Sequence, residues 1–172
     1  EKGFQDFIAK PLDRRELGRL LARWVPEERR EEAAEEAPPV STDLSAFRIE
    51  GIDIDAASRY YVGDEEGFAG LQELYHMDGR RKTELLRELV GSDLHRYQVE
   101  VHGLKSASAN IGAMEVSNMA RAHENAAAQG DRSFIDRQFP ILMERYEALL
   151  ENIGLLLEKR RQDAPPEEKL PP

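Results

Sequence analysis

The sequence predicts an all-α protein whose main part is an up-down antiparallel four-helix bundle, with an extra amphipathic helix near the N-terminus. Three observations support this fold class. Apolar residues recur at helical spacing almost throughout residues 51–161. Glycines interrupt that pattern where short turns would join helices, and the one strand-like segment is a short apolar piece at residues 4–8. The expected organisation is therefore a helical domain with flanking segments.

Composition excludes several classes of function. The chain has 172 residues and a net charge of −10. This charge argues against polyanionic partners, such as nucleic acid or anionic membranes, that bind through electrostatic attraction. The sequence has no cysteine, which removes disulfides, thiolate nucleophiles and cysteine-ligated metals. Its longest apolar run is three residues, too short for a membrane span. It contains neither G-x-G-x-x-G nor a P-loop. These absences predict a soluble, intracellular protein, and we expect it to be monomeric and to bind no cofactor or metal.

The first 50 residues divide into two segments. In residues 1–24, Asp13 and Glu16 resemble a capping box, and the helix after them has a single apolar stripe. That stripe contains Leu17, Leu20, Leu21 and Trp24. Residues 25–50 are rich in glutamate and proline and lack the apolar residues that a core needs, so they are predicted to be a linker. The exposed stripe predicts that the N-terminal helix packs against the bundle or another chain.

The bundle is assigned to residues 51–161, and its elements follow from caps, stripes and glycines. A short helix is predicted from Asp55 to Val62, and a longer one begins after Asp64, with Gly79 interrupting it. The following helices are predicted at about 93–109, 114–129 and 131–161, the last broken or kinked at Pro140. Residues 162–172 hold four prolines and are predicted to be a disordered tail.

His102 is the candidate functional residue. It has no carboxylate three or four residues away on its own helix, so its imidazole can be a neutral nucleophile near pH 7. Lys105, one turn later, could stabilise negative charge beside the ring. Gln98 lies one turn before His102, and Ser106 and Ala109 are small enough to let another protein approach. This pattern suits a histidine that accepts a phosphoryl group.

At these positions the chain resembles the histidine phosphotransfer (HPt) domain family. The family pattern is H-x-L-K-G-S-S/A followed by I/L-G-A, and the resemblance covers about residues 51–157. The matching residues are His102, Leu104, Lys105, Ser106, Ala107, Ser108, Ile111, Gly112 and Ala113. Glu124 and the pair Gly130-Asp131 extend the similarity. Two positions depart from the family pattern: Ser106 replaces a glycine, and His123 replaces the usual leucine.

The resemblance implies a phosphorelay intermediate rather than an autonomous enzyme. His102 would be the phosphoacceptor, Lys105 would stabilise the phosphoryl charge, and receiver domains would donate and accept the group. Any Mg²⁺ would belong to the partner receiver. The alternative is a helical module that docks receiver domains without carrying phosphate, and His102 with Lys105 is the feature that such a scaffold would not need.

The N-terminal segment carries a second, partial resemblance. The run from Phe7 to Leu12, FIAKPL, followed by an amphipathic helix is similar to the C-terminal end of a receiver domain. The order receiver, linker, HPt domain implies the tail of a hybrid sensor histidine kinase.

The other histidines have simpler interpretations. His95 lies seven residues before His102, about 10.5 Å along a helix, so the two cannot share a metal. We expect His95 and His76 to be surface residues. His123 falls on an apolar stripe and is predicted to be a half-buried core residue.

Overall fold

The structure is a computed structural model that describes residue 23 and residues 44–58 and 64–163. The described residues form five α-helices and no β-strand, which confirms the predicted all-α class. A 3₁₀ turn at Leu44–Phe47 precedes the helices. The helices are α1 (Ile54–Ser58), α2 (Glu65–Leu89), α3 (Leu94–Asn110), α4 (Met114–Gln129) and α5 (Arg132–Asp163).

The four long helices close into a ring. Helix α3 packs against α2 and α4, and α5 packs against α4 and returns to α2. The connections between successive long helices are two to four residues long, which obliges neighbours to run antiparallel. The core between them is aromatic and aliphatic, and its largest fully buried side chains on the four helices include Phe68, Leu86, Tyr97, Leu104, Leu142, Tyr146 and Ile153.

The sequence signals at the helix ends act as predicted. The carboxylate of Asp64 accepts a hydrogen bond from the Gly67 N–H at 2.8 Å, so it caps α2. Asp93 caps α3 in the same way. Helix α3 ends in a Schellman motif in which Gly112 adopts a φ of +79° and the Ala113 N–H donates to the Ser108 carbonyl at 2.8 Å. Asp93 and the Schellman motif thus fix the two ends of α3, the helix that carries His102.

Residues 44–50 belong to the bundle, which corrects their assignment to the linker. Leu44 and Phe47 are each only 2% exposed. The Phe47 ring meets Phe68 edge to face at 5.2 Å, and the Arg160 guanidinium lies 4.2 Å from its centre. The linker prediction failed here because two apolar residues in a polar stretch are enough to cover one end of the core.

Neither of two predicted interruptions breaks its helix. Helix α2 runs through Gly79, which is buried against Leu150, so close that a Cβ would lie 2.3 Å from Leu150 Cδ2. The glycine therefore serves close helix packing rather than a turn. Helix α5 continues through Pro140, which is exposed, so the carbonyl that loses its hydrogen bond can be hydrated.

The remaining boundaries are tested only in part. Helix α5 extends to Asp163, two residues beyond the predicted end of the bundle. The predicted N-terminal helix lies outside the described residues except Arg23, which is helical and exposed. Most of the linker, the region 59–63 and the tail after 163 also lie outside them. Within the described ranges, no helix combines the length and apolarity needed to cross a membrane.

Gly112→Ala is expected to destabilise the bundle more than Gly130→Ala. Both glycines have positive φ, but a Cβ on Gly112 would lie 2.4 Å from the Asp53 carbonyl oxygen, whereas nothing lies within 4 Å at Gly130. We expect losses in the free energy of unfolding of about 2–4 kcal/mol at Gly112 and about 1 kcal/mol at Gly130. Urea unfolding of the two variants measures the difference, and equal losses would contradict the proposed close approach.

Candidate functional site

His102 lies in the middle of α3 on its solvent-facing side. Its neighbours Val101 and Leu104 are buried in the core, whereas the His102 side chain is 59% exposed. Because the buried residues anchor the helix, the imidazole is presented on a rigid support.

Glu124, on α4, joins His102 and Lys105 into one network. Its Oε1 lies 2.7 Å from His102 Nδ1, and its Oε2 accepts a hydrogen bond from Lys105 Nζ at 2.7 Å. Lys105 Nζ also approaches His102 Nδ1 at 3.4 Å. A carboxylate can only accept, so the short contact is made when Nδ1 carries the proton. The lone pair is then on Nε2, the other ring nitrogen.

The negative charge of Glu124 is stabilised by its hydrogen-bond partners. The hydrogen bond from Lys105 is the main cause that holds the pKa of the Glu124 carboxyl below its usual value, and the bond to His102 adds to it. Partial burial opposes this shift. The Glu124 side chain is 19% exposed, so water screens its charge less than that of a fully exposed residue. The network therefore keeps a carboxylate beside the imidazole at neutral pH.

The predicted docking residues lie on the same helix but take no part in the network. Ser106 is exposed, and Gln98 and Ala109 are half-buried. Gly103 and Ala107, next to His102 and Ser106, are also exposed. No described hydrogen bond joins Gln98 to His102. The surface beside the imidazole is consequently built largely of small side chains.

A comparison with models of protein families shows to which family the chain belongs. The sequence model of the Hpt domain matches residues 71–164, more than half of the chain, and this span contains His102, Lys105 and Glu124. The chain belongs to the Hpt domain family. Neither the curated proteins nor the solved structures gave a match.

Membership of the Hpt family implies histidine phosphotransfer within a two-component phosphorelay. Hpt domains are phosphocarriers rather than enzymes, and they interact with receiver domains. The helical bundle described above is the fold expected of the family.

Glu124 is the part of the site that analysis of one helix missed. The positions one turn away from His102 on α3 hold no carboxylate. Glu124 lies 22 residues further along the chain and reaches His102 from α4. The signal available in the sequence was the match of Glu124 to the Hpt pattern, which gave the residue no role. Among the described residues, no three histidine, aspartate or glutamate side chains are grouped to bind a metal.

His123 is more deeply placed in this Hpt domain than predicted. It is 1% exposed, and its Nδ1 lies 2.7 Å from the Tyr97 hydroxyl. Burial lowers the pKa of His123, opposed by an interaction with the Gln138 backbone. His95 is exposed as predicted, while His76 is half-buried beside Gly154.

Lys105→Met is expected to raise the pKa of Glu124. In the wild-type Hpt domain, we expect the Glu124 carboxyl to titrate below its usual pKa. The variant should move the pKa back toward the usual value, because the hydrogen bond from Lys105 is the largest cause of the lowering. Since the folded-state pKa is lowered, the stability that Glu124 contributes is present above its usual pKa and lost as pH falls through the folded one. NMR titration of the carboxyl carbon measures both values.

The control is Arg145→Met, which breaks the exposed pair between Arg145 and Glu115. It should leave the titration of Glu124 unchanged. An unchanged Glu124 pKa in Lys105→Met would contradict the assigned network.

Proposed function

We propose that His102 is the phosphoacceptor of this Hpt domain and that it exchanges a phosphoryl group with receiver-domain aspartates. The observation that carries the proposal is the 2.7 Å contact between Glu124 Oε1 and His102 Nδ1. A hydrogen bond at Nδ1 favours the tautomer whose lone pair is on Nε2. The exposed ring then offers a neutral nucleophile to an approaching protein.

The proposed transfer is a direct displacement. The Nε2 lone pair of His102 forms a bond to phosphorus while the bond from phosphorus to the aspartyl oxygen of the receiver breaks. The leaving oxygen becomes the receiver carboxylate, and the imidazole becomes a phosphorylated ring that retains its Nδ1 proton. Glu124 faces that positive ring through the same hydrogen bond. Reversal of these steps onto a second receiver aspartate returns the ring to its neutral state.

Lys105 has a separate role in this proposal. Its ammonium group is already held by Glu124 Oε2 and lies 3.4 Å from the imidazole. A phosphoryl group on Nε2 would bring up to two negative charges near this cation, and such a contact is worth roughly 1–4 kcal/mol at about 4 Å. Lys105 would therefore stabilise the phosphorylated state without being the nucleophile.

Receiver domains are the proposed partners, docking over the surface around Gln98, Ser106 and Ala109. Exposed small residues let a second protein bring its phosphorylated aspartate to the imidazole. The resemblance of residues 7–12 to a receiver end supports a parent hybrid sensor histidine kinase, with this domain in the cytoplasm. Mg²⁺ would be held by the receiver, with no cofactor in this chain.

His102→Gln is expected to abolish phosphate uptake from a phosphorylated receiver. The substitution removes the nucleophile but leaves the core intact, so the change in the free energy of unfolding should stay within about 0.5 kcal/mol. The measurement is acid-labile, alkali-stable phosphate on the chain after mixing with the receiver, together with the melting temperature.

The matched control is His95→Gln, an exposed histidine at the start of the same helix. It should take up phosphate at the wild-type rate. Uptake by His102→Gln at that rate would assign the phosphate to another residue. Receiver binding without any phosphorylation of the wild-type chain would favour the alternative, a docking module.

Ser106→Phe is expected to weaken receiver docking by about ten-fold or more, because a bulky ring on the small-residue surface blocks close approach. The intrinsic reactivity of His102 should persist, so a small phosphodonor such as phosphoramidate should label both proteins equally. Ala148→Phe is the control, since Ala148 is exposed on α5, across the bundle from α3. Equal receiver affinity for Ser106→Phe and wild type would contradict docking at this surface.

A further inference from the structure

Hydrogen bonds join α3 to α4 at three successive levels. At one end, the Tyr97 hydroxyl contacts His123 Nδ1 at 2.7 Å. In the middle, Glu124 contacts His102 and Lys105. Next along α3, the Ser117 hydroxyl donates to the backbone carbonyl of Lys105 at 2.9 Å. On α4, His123 and Glu124 are consecutive, and Ser117 lies about two turns before them.

Tyr97 and His123 form a buried hydrogen-bonded pair. Burial raises the pKa of the Tyr97 hydroxyl, which keeps its proton, and lowers the pKa of His123, which is neutral. Either group can donate in this hydrogen bond, depending on the tautomer of His123. The His123 ring also meets Phe134 edge to face at 5.6 Å, and Tyr97 meets Phe139 at 6.1 Å. Side chains of three helices thus hold this pair in one orientation.

The residue after His123 on α4 is Glu124, so the placement of the pair bears on the direction in which Glu124 points. His123 and Glu124 are consecutive on α4, so their side chains leave the helix about 100° apart. With His123 fixed toward the core, Glu124 is directed toward the outer edge of α3, where it meets His102. A rotation of α4 that released the Tyr97 contact would move the Glu124 carboxylate as well.

Ser117 fixes the other side of the network. It lies seven residues before Glu124, two turns away on nearly the same side of α4, about 10.5 Å along the axis. Ser117 is fully buried, and the carbonyl that it contacts belongs to Lys105 itself. This hydrogen bond sets the axial position of α4 relative to the residue whose ammonium binds Glu124.

We propose that Tyr97, His123 and Ser117 are positioning residues that hold Glu124 against His102 and thereby set the tautomer of the His102 ring. Their effect on phosphotransfer rests on the proposed function of His102, whereas their effect on the tautomer does not.

The first test measures the His102 ring nitrogens by ¹⁵N NMR in the unphosphorylated full chain. Tyr97→Phe and Ser117→Ala should each lower the ratio of the Nδ1–H to the Nε2–H tautomer by about five-fold. This factor corresponds to the usual net free energy of one hydrogen bond. The rate of phosphate uptake from a receiver should fall by a similar factor.

The matched control is Tyr75→Phe. Tyr75 is buried, and its hydroxyl makes a 2.8 Å hydrogen bond with Ser108, which joins α3 to α2 instead of α4. This variant loses the same kind of bond and should show a comparable loss of melting temperature, but an unchanged tautomer ratio. A similar tautomer shift in Tyr75→Phe would overturn the proposal, because it would show a general effect of loosening the bundle.

A double-mutant cycle provides the second test. In a Glu124→Ala background, Tyr97→Phe and Ser117→Ala should have no further effect on the tautomer ratio, because both act through Glu124. A persistent effect in that background would overturn the proposal. If Tyr97→Phe does not fold, Ser117→Ala decides, and an unchanged ratio in folded Ser117→Ala would overturn it.

These outcomes are separate from those of His102→Gln. Failure of His102 to take up phosphate would refute the proposed function while leaving the tautomer result intact. Unchanged tautomers with normal phosphate uptake would refute only the positioning roles.

Discussion

Helices α3 and α4 are joined by only three residues, and this short connection obliges them to lie side by side in opposite directions. Gly112 makes the turn possible, because its positive φ lets the chain reverse and its missing Cβ leaves room for the Asp53 carbonyl. The Asp53 N–H in turn donates to the Gly112 carbonyl at 2.9 Å. The pairing of α3 with α4 that follows from this turn brings Glu124 to His102.

The site combines an exposed imidazole with a better shielded charge. The proposed mechanism requires His102 to be open to a second protein, and its ring stays in contact with water while Nδ1 contacts Glu124. Glu124 and Lys105 are each mostly covered, at 19% and 23% exposure. Their mutual attraction is therefore weakened less by salt than that of a surface pair. In the proposed mechanism, this arrangement stabilises a positive ring without blocking its outer nitrogen.

Polar contacts within the bundle also give the helices a defined register. Apolar surfaces can slide or rotate against each other at small cost, whereas a buried hydroxyl that loses its partner is penalised. The pairs Tyr97 with His123 and Tyr75 with Ser108 lie at different levels along α3 and connect it to α4 and to α2. The helix that carries the proposed phosphoacceptor is thus hydrogen-bonded to both of its neighbours.

Local chemistry determined much of this protein. Helical spacing predicted the class of fold, Asp64 and Asp93 predicted where two helices begin, and Gly112 and Gly130 predicted where two end, because each of these signals acts within one turn of chain. The Hpt pattern then connected His102 with phosphotransfer.

Tertiary structure alone decided the rest. Gly79 and Pro140 carry local signals that favour interruption, yet both lie inside continuous helices because contacts made elsewhere along α2 and α5 outweigh a single residue's preference. Phe47 belongs to the core because its ring packs against and covers the ring of Phe68, which is distant in the sequence. The contact of Glu124 with His102 spans 22 residues, and only the packing of one helix on another brings two such side chains within hydrogen-bonding distance.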